Sequence, residues 1–116
     1  MKRFFKSFVY AWEGMRDGFV NGRNMKSHAL SAIIVILAGW FTVLSMTEWL
    51  IVLLLISGML ALELMNTAVE YVVDLVTKEY HPLAKKAKDI AAGSVLIFAV
   101  ASAVIGCLIF FPKWFG

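Results

Sequence analysis

Residues 49–74 read WLIVLLLISGMLALELMNTAVEYVVD, in which an uncharged apolar run passes directly into a segment with two glutamates, an asparagine and an aspartate. The uncharged part ends at Leu62. It is too short to cross a bilayer, because a spanning helix needs about 20 residues. The polar segment must therefore complete the passage, and we expect one helix from about residue 49 to about residue 77.

The polar side chains of this segment are segregated on the expected helix. At about 100° per residue they share one face roughly 100° wide, which carries Glu63, Asn66, Thr67, Glu70 and Asp74. A carboxylate that faces lipid costs at least a few kcal/mol, so Glu63 and Asn66 are expected to face a partner helix or a wet cavity and to be functional. For Glu70 and Asp74 a simple position among the lipid headgroups remains an alternative.

The composition places the chain in the membrane class. Of its 116 residues 61% are hydrophobic, more than one soluble core of that size can hide, and the mean hydropathy is +0.82. No linker, repeat or low-complexity tract divides the chain, so we expect one domain over residues 1–116. The net charge of +3 does not indicate a nucleic-acid partner, because the basic residues flank apolar runs, where they set topology.

Four helical segments are expected along the chain. Residues 3–20 place apolar side chains at three- and four-residue spacings with charges on other faces, which is typical of an amphipathic helix at a membrane surface. Three apolar segments follow, and we expect them to span the membrane at about residues 28–47, 49–77 and 88–112. The sequence thus predicts an all-α membrane protein with three transmembrane helices.

The distribution of lysine and arginine predicts the orientation. Basic residues precede the first span and also lie between the second and third, whereas the link between the first and second spans has none. By the positive-inside rule, the N-terminus and the loop KEYHPLAKKAKD (residues 78–89) should face the cytoplasm and the C-terminus should face outward.

The acidic face and the lysines beside it favour phosphate chemistry. Carboxylate oxygens on one face suit a hard cation such as Mg²⁺, and the lack of His or Cys on that face disfavours zinc. Lysines for phosphate next to acids for metal are what phosphoryl transfer needs. Topology explains Lys85 and Lys86 better, whereas Lys88-Asp89 suggests a site. Neither common kinase glycine loop is present, so the residues alone predict a membrane protein with an acidic, metal-dependent cytoplasmic site.

These segments resemble the small bacterial integral-membrane diacylglycerol kinase family, which includes the undecaprenol kinases of Gram-positive bacteria. The resemblance covers almost the whole chain, and ELMNTAVEYVVD followed by AKD carries most of it. The versions RFFKSF, HPLAKKAKD and FPKW are similar to the Gram-positive branch. The resemblance to that branch favours undecaprenol as the lipid substrate.

The resemblance implies a homotrimer in the bacterial cell membrane, with a surface helix and three transmembrane helices in each subunit and active sites shared between neighbours. It implies direct transfer of the γ-phosphate of ATP, with Mg²⁺, to the hydroxyl of undecaprenol. Glu63 matches the catalytic base and Asn66 its neighbouring amide, and Glu70 matches a metal ligand. The other nucleotide-contacting positions match Arg3, Tyr10, Glu79, His81, Lys88 and Asp89.

One position departs from the family pattern. Where the Gram-positive branch reads Glu-Arg-Asn before its first span, this chain reads Gly22-Arg23-Asn24, and the missing glutamate is the family's second metal-binding carboxylate. Either Asn21, Asn24 or water replaces it, or the metal site is weakened. His28, on the same segment, is interpreted as a polar group at the membrane boundary.

Three alternatives to undecaprenol phosphorylation stay open. The first is the same chemistry on diacylglycerol, because one sequence does not define the lipid-facing cleft. The second is a small ion-coupled transporter that uses the intramembrane glutamate, although no inverted repeat is evident. The third is a non-catalytic trimer that has lost the carboxylate at position 22.

Overall fold

The structure, a computed structural model, describes all of residues 1–116 and consists of four α-helices with short links. In chain order these are α1 (Lys2–Asn21), α2 (Met25–Thr42), α3 (Met46–Val76) and α4 (Pro82–Phe115). The last three are long and apolar enough to cross a membrane. The predicted all-α architecture is confirmed, with three helices that could span a membrane by their length and composition.

Helix α3 is continuous through the polar segment. It has 31 residues, and at 1.5 Å per residue it is about 46 Å long, which exceeds the roughly 30 Å of a bilayer's hydrocarbon core. The apolar run from Trp49 to Leu62 and the polar face from Glu63 onward therefore belong to one rigid element. This continuity holds the polar face at a defined depth relative to the apolar run.

The links around α2 have clear local causes. At the start, Gly22 follows α1 in an extended conformation and turns the chain toward Met25. At the end, α2 stops at Thr42, some residues before the expected boundary near 47, because Val43 adopts a left-handed conformation with φ 61°. A left-handed residue closes a helix by turning the backbone away from its axis.

Helix α4 begins earlier than the span expected from residue 88. His81 is its N-cap, with Nδ1 accepting a hydrogen bond from the Leu83 N–H at 3.1 Å. Pro82 occupies the first helical turn, where its missing N–H costs little. Lys85, Lys88 and Asp89 therefore lie on the first turns of a helix, at spacings that place them on one side of it.

Few side chains are buried within one chain. Helix α3 packs against both α2 and α4, and a small core of Leu44, Val52 and Phe110 closes the end near the link between α2 and α3. Only 10 of the 116 residues are buried, and most large apolar side chains point outward. A bilayer or neighbouring chains must cover them, because so much exposed apolar surface is costly in water.

Candidate active site

The polar face of α3 points into the protein at its centre. Glu63 is only 1% exposed, and Asn66 and Thr67 are each 6% exposed, whereas Glu70 is partly exposed and lies one turn further on. The Thr67 Oγ1 hydroxyl donates to the Glu63 carbonyl at 3.1 Å, and Asn66 Nδ2 donates to Glu70 Oε1 at 2.8 Å. The helical period thus identified the correct face.

The Glu63 carboxylate faces the beginning of α2. The Asn24 backbone N–H donates to Oε1 at 3.4 Å, and His28 Nε2 lies 3.4 Å from Oε2. The His28 contact has ion-pair length without hydrogen-bond alignment, so Oε2 accepts no hydrogen bond. Asn66 Oδ1 is also buried without a donor. Buried unpaired oxygens cost about 1–3 kcal/mol or more, and such a cost is typical of atoms that await a ligand.

A cleft of about 780 Å³ opens beside this carboxylate between α2, α3 and the start of α4. It brings together seven of the nine residues predicted to form the site, the others being Arg3 and Tyr10 of α1. The seven that line it are Glu63, Asn66, Glu70, Glu79, His81, Lys88 and Asp89. Residues of α3, of the link between α3 and α4, and of the start of α4 therefore share one concave surface.

The basic side chains of the cleft are already partly paired. Lys88 Nζ lies 2.8 Å from Asp74 Oδ1 across α3 and α4, and Lys85 Nζ lies 2.6 Å from Asp89 Oδ2 within α4. Asp74 therefore has a specific partner as well as a position near the end of α3. Lys78 and Lys85 line the cleft together with Lys88, whereas Lys86 does not.

His81 and Glu79 reach the cleft from the link between α3 and α4. The His81 side chain caps α4, and the Glu79 N–H donates to Thr77 Oγ1 at 3.1 Å. Capping typically contributes about 1 kcal/mol to helix stability. His81 thus has a structural contact in addition to its place in the cleft wall.

Helix α1 joins the rest of the chain through its C-terminal end. Asp17 accepts hydrogen bonds from Tyr71 Oη of α3 at 2.8 Å and from Asn21 Nδ2 at 2.8 Å. Arg3 and Tyr10 lie toward the other end of α1, are exposed, and do not line the cleft within a single chain. Their predicted contact with nucleotide stays a prediction.

Position 22 is sterically crowded. A Cβ atom on Gly22 would approach the Gly18 carbonyl oxygen too closely, and it would stand 3.2 Å from both Met25 Cβ and Thr67 Oγ1. A side chain here would therefore point toward α3 near its polar face, but the turn would have to shift to admit it. The glycine allows the segment before α2 to approach α3 closely.

The donor set of the cleft fits a hard cation only in part. Glu70 and the unpaired Asn66 Oδ1 offer the oxygen ligands that Mg²⁺ prefers. No group of three or more His, Cys, Asp or Glu side chains in the chain is arranged to hold a metal ion. A bound Mg²⁺ would therefore need water or phosphate oxygens for its remaining positions, as is usual for this ion.

The wall formed by the start of α2 was missed by reasoning from the sequence. Arg23, Asn24, Ser27 and His28 all line the cleft, and two of them contact Glu63. The sequence suggests Asn24 as a substitute metal ligand and His28 as a polar group at the membrane boundary. No periodic signal pointed to these contacts, because Asn24 bonds through its backbone N–H at the N-cap and His28 is a single polar residue in an apolar helix.

Comparisons with known proteins match almost the whole chain. A sequence model described as prokaryotic diacylglycerol kinase matches residues 9–110. An undecaprenol kinase of Bacillus subtilis (strain 168) is 53% identical over 113 residues, covering 97% of this chain and 92% of that protein. A diacylglycerol kinase of Synechocystis sp. is 43% identical, covering 91% and 62%, respectively. A diacylglycerol kinase of Escherichia coli (strain K12) is 33% identical, covering 92% and 88%.

Proposed function

The chain belongs to the prokaryotic diacylglycerol kinase family, a family of lipid kinases, and from this premise we propose that it phosphorylates undecaprenol with ATP. Identity of 53% to an undecaprenol kinase over nearly the whole chain supports this acceptor over diacylglycerol, whose kinases are 43% and 33% identical. Diacylglycerol remains the second candidate, because the chemistry at the hydroxyl is the same.

The observation that carries the proposal is the buried Glu63 carboxylate with its unpaired Oε2 beside a basic cleft. Glu63 accepts the proton of the lipid hydroxyl while that oxygen bonds to the γ-phosphorus of ATP. The bond from the γ-phosphorus to the bridging oxygen breaks, and ADP leaves with that electron pair. A positioned general base of this kind contributes about 10²- to 10⁴-fold to the rate.

Glu70 and Asn66 Oδ1 are proposed to hold Mg²⁺. The ion would supply neutralisation of the negative charge on the nucleotide phosphates. The hydrogen bond from Asn66 Nδ2 to Glu70 Oε1 orients both side chains, so that the amide oxygen and the second carboxylate oxygen remain available. Gly22 supplies no ligand, and we propose that water or phosphate oxygens complete the coordination.

The lysines of the cleft are proposed to bind the nucleotide phosphates. Lys88 is held by Asp74 at 2.8 Å and is 39% exposed, so its ammonium has donors left for a phosphate oxygen. Lys78 and Arg23 line the same cleft without a carboxylate partner in the chain. Glu79, His81 and Asp89 are proposed as further nucleotide contacts.

We propose the assembly that the family resemblance implies. Three chains form a trimer whose exposed apolar faces pack together or face lipid, with α1 lying on the cytoplasmic surface. In such an assembly Arg3 and Tyr10 reach nucleotide in a site shared between subunits. The outward-pointing apolar side chains of α1 to α4 support an arrangement in which lipid and other chains surround each subunit.

The test is transfer of labelled γ-phosphate from Mg·ATP to undecaprenol and, in parallel, to diacylglycerol by the purified protein and its Glu63→Gln variant. We expect faster labelling of undecaprenol and its near abolition by Glu63→Gln. Equal or faster labelling of diacylglycerol would overturn the choice of lipid. Labelling of neither lipid by a folded, membrane-inserted protein would overturn the kinase proposal itself.

A further inference from the structure

We infer that His28 is a positioning residue for the catalytic carboxylate of Glu63. The inference rests on the proposed function. It adds a residue of α2 to a catalytic group that otherwise comes from the acidic face of α3. His28 Nε2 stands 3.4 Å from Glu63 Oε2. It is the only side chain within ion-pair distance of that carboxylate.

Four lysine and arginine side chains line the cleft, namely Arg23, Lys78, Lys85 and Lys88, but none of them lies within ion-pair distance of Glu63. Lys88 pairs with Asp74 and Lys85 pairs with Asp89, so neither is placed to orient Glu63. The Asn24 N–H reaches Oε1 at 3.4 Å, a long hydrogen bond that holds one oxygen only weakly. Without a second donor, a hydrogen bond holds only one of the two carboxylate oxygens. His28 is the available second donor.

The location of His28 makes it effective in this role. The Asn24 N–H at the N-cap of α2 and the His28 side chain in its first turn approach the two oxygens of one carboxylate from the same end of α2. Between them Met25 is completely buried, which anchors this end of α2 against the rest of the bundle. Glu63 itself is 1% exposed, so little water competes with the imidazole for Oε2.

His28 also stands at the junction of two cavities. It lines the basic cleft, and it lines an apolar cavity of about 390 Å³ between α2, α3 and α4. The imidazole therefore forms part of the wall between the polar and apolar sides of the site. An Nε2–H donor at this point occupies one lone pair of the carboxylate and leaves the others free to receive the hydroxyl proton.

The present contact is long and imperfectly aligned, as expected before substrate binds. Catalytic hydrogen bonds are often long in unliganded enzymes and tighten when the reacting groups are in place. The inference requires a rotation of the imidazole or of the carboxylate that aligns Nε2–H with Oε2. His28 then acts through Glu63 and exchanges no proton with the lipid.

The test compares His28→Leu with His28→Gln, which have similar volume but differ in the presence of an N–H donor. We expect kcat for labelling of undecaprenol to fall about 10- to 100-fold in His28→Leu, with KM values for Mg·ATP and lipid within about threefold of the parent. His28→Gln should retain kcat within about fivefold, because its amide supplies a donor. Ser31→Ala, which lines only the apolar cavity, is the matched control and should remain at the parent rate.

Each outcome decides between the inference and its alternatives. Unchanged kcat in His28→Leu, or an equal fall in both His28 variants, would overturn the positioning role. A rise in the lipid KM alone would instead assign His28 to acceptor binding. If the parent protein labels neither lipid, the proposed function fails and the inference fails with it, whereas an active parent with an active His28→Leu variant defeats the inference alone.

Both substitutions suit a half-buried site in a membrane helix, and the folded fraction is followed by size-exclusion chromatography.

Discussion

The two ends of the helical bundle differ in whether their polar side chains have hydrogen-bond or ion-pair partners. Around the link between α2 and α3, the charged side chains and the N-cap serine have partners: Ser45 and Glu48 form a reciprocal capping box, and Glu48 Oε1 also lies 3.0 Å from Lys113 Nζ. Trp114 Nε1 donates to Thr42 Oγ1 at 2.8 Å beside the small apolar core. At the cleft end, Glu63 Oε2 and Asn66 Oδ1 are buried and unpaired.

This contrast separates polar groups that stabilise the fold from those that perform chemistry. A satisfied polar network lowers the free energy of the folded chain, whereas an unpaired buried oxygen raises it and persists where another requirement maintains it. Substitutions at the short-link end should therefore change stability with little effect on turnover. Substitutions at the cleft end should do the reverse.

The largest effect is expected for Glu63→Gln. The amide keeps the shape of the side chain but does not accept the hydroxyl proton, so kcat should fall about 10³-fold. Because the substitution removes a buried charge, thermal stability should be equal or higher. Turnover with undecaprenol and the midpoint of thermal unfolding in detergent are measured together. A folded variant with more than a tenth of the parent kcat would contradict the role of the base.

The next effect is expected for Glu70→Gln. The substitution removes the carboxylate that is proposed to bind the metal, so the Mg²⁺ concentration that gives the half-maximal rate should rise about tenfold or more. Substitutions even at residues that only support a metal ligand change metal affinity on this scale. Asp74→Asn is the control, because Asp74 lies on the same face of α3 but pairs with Lys88. Equal shifts in Mg²⁺ requirement for the two variants would place the metal somewhere other than Glu70.

Substitutions at Gly22 separate steric from chemical effects. Gly22→Ala should lower kcat about tenfold, because its Cβ displaces the turn that presents Asn24 and His28 to Glu63. Gly22→Glu adds the same Cβ together with a carboxylate directed toward α3. A rate for Gly22→Glu above that of Gly22→Ala would show that a second carboxylate aids catalysis. Equal rates would show that a carboxylate at position 22 does not aid catalysis.

The smallest effects are expected at the short-link end. Ser45→Ala removes the N-cap of α3 and should lower the free energy of unfolding by about 1 kcal/mol. Glu48→Gln keeps a capping-box side chain but loses the charge beside Lys113, so the loss of stability should be smaller than in Ser45→Ala. Both variants should retain parental kcat. A tenfold loss of turnover in either would show that the two ends are mechanically coupled.

The helical elements were largely predictable, but their ends were less so. Apolar runs and the 3.6-residue period identify four helices and the polar face of α3, because both signals arise within one element. The end of α2 at Thr42 and the start of α4 at Pro82 were not anticipated. Those boundaries depend on the left-handed backbone of Val43 and on capping by the His81 side chain, which hydropathy does not report.

Seven of the nine predicted site residues line the cleft, but the contacts between helices were not predicted. Glu63, Asn66 and Glu70 were found because they lie on one helix and share its period. The ion pair of Asp74 with Lys88 was not, since it joins two helices. The contact of His28 with Glu63 was missed as well, because a single histidine in an apolar helix has no periodic partner in its own sequence.

The sequence by itself determined that the chain has three long apolar helices and that one of them carries an acidic face, followed by a lysine-rich segment. Hydropathy and helical period show this because they are local properties of the chain. Only the tertiary structure decided which residues oppose that face. The close approach allowed at Gly22 brings the start of α2 onto Glu63, and the packing of α3 on α4 brings Lys88 to Asp74. Such pairings depend on how helices rotate against one another when they pack, which no single helix specifies.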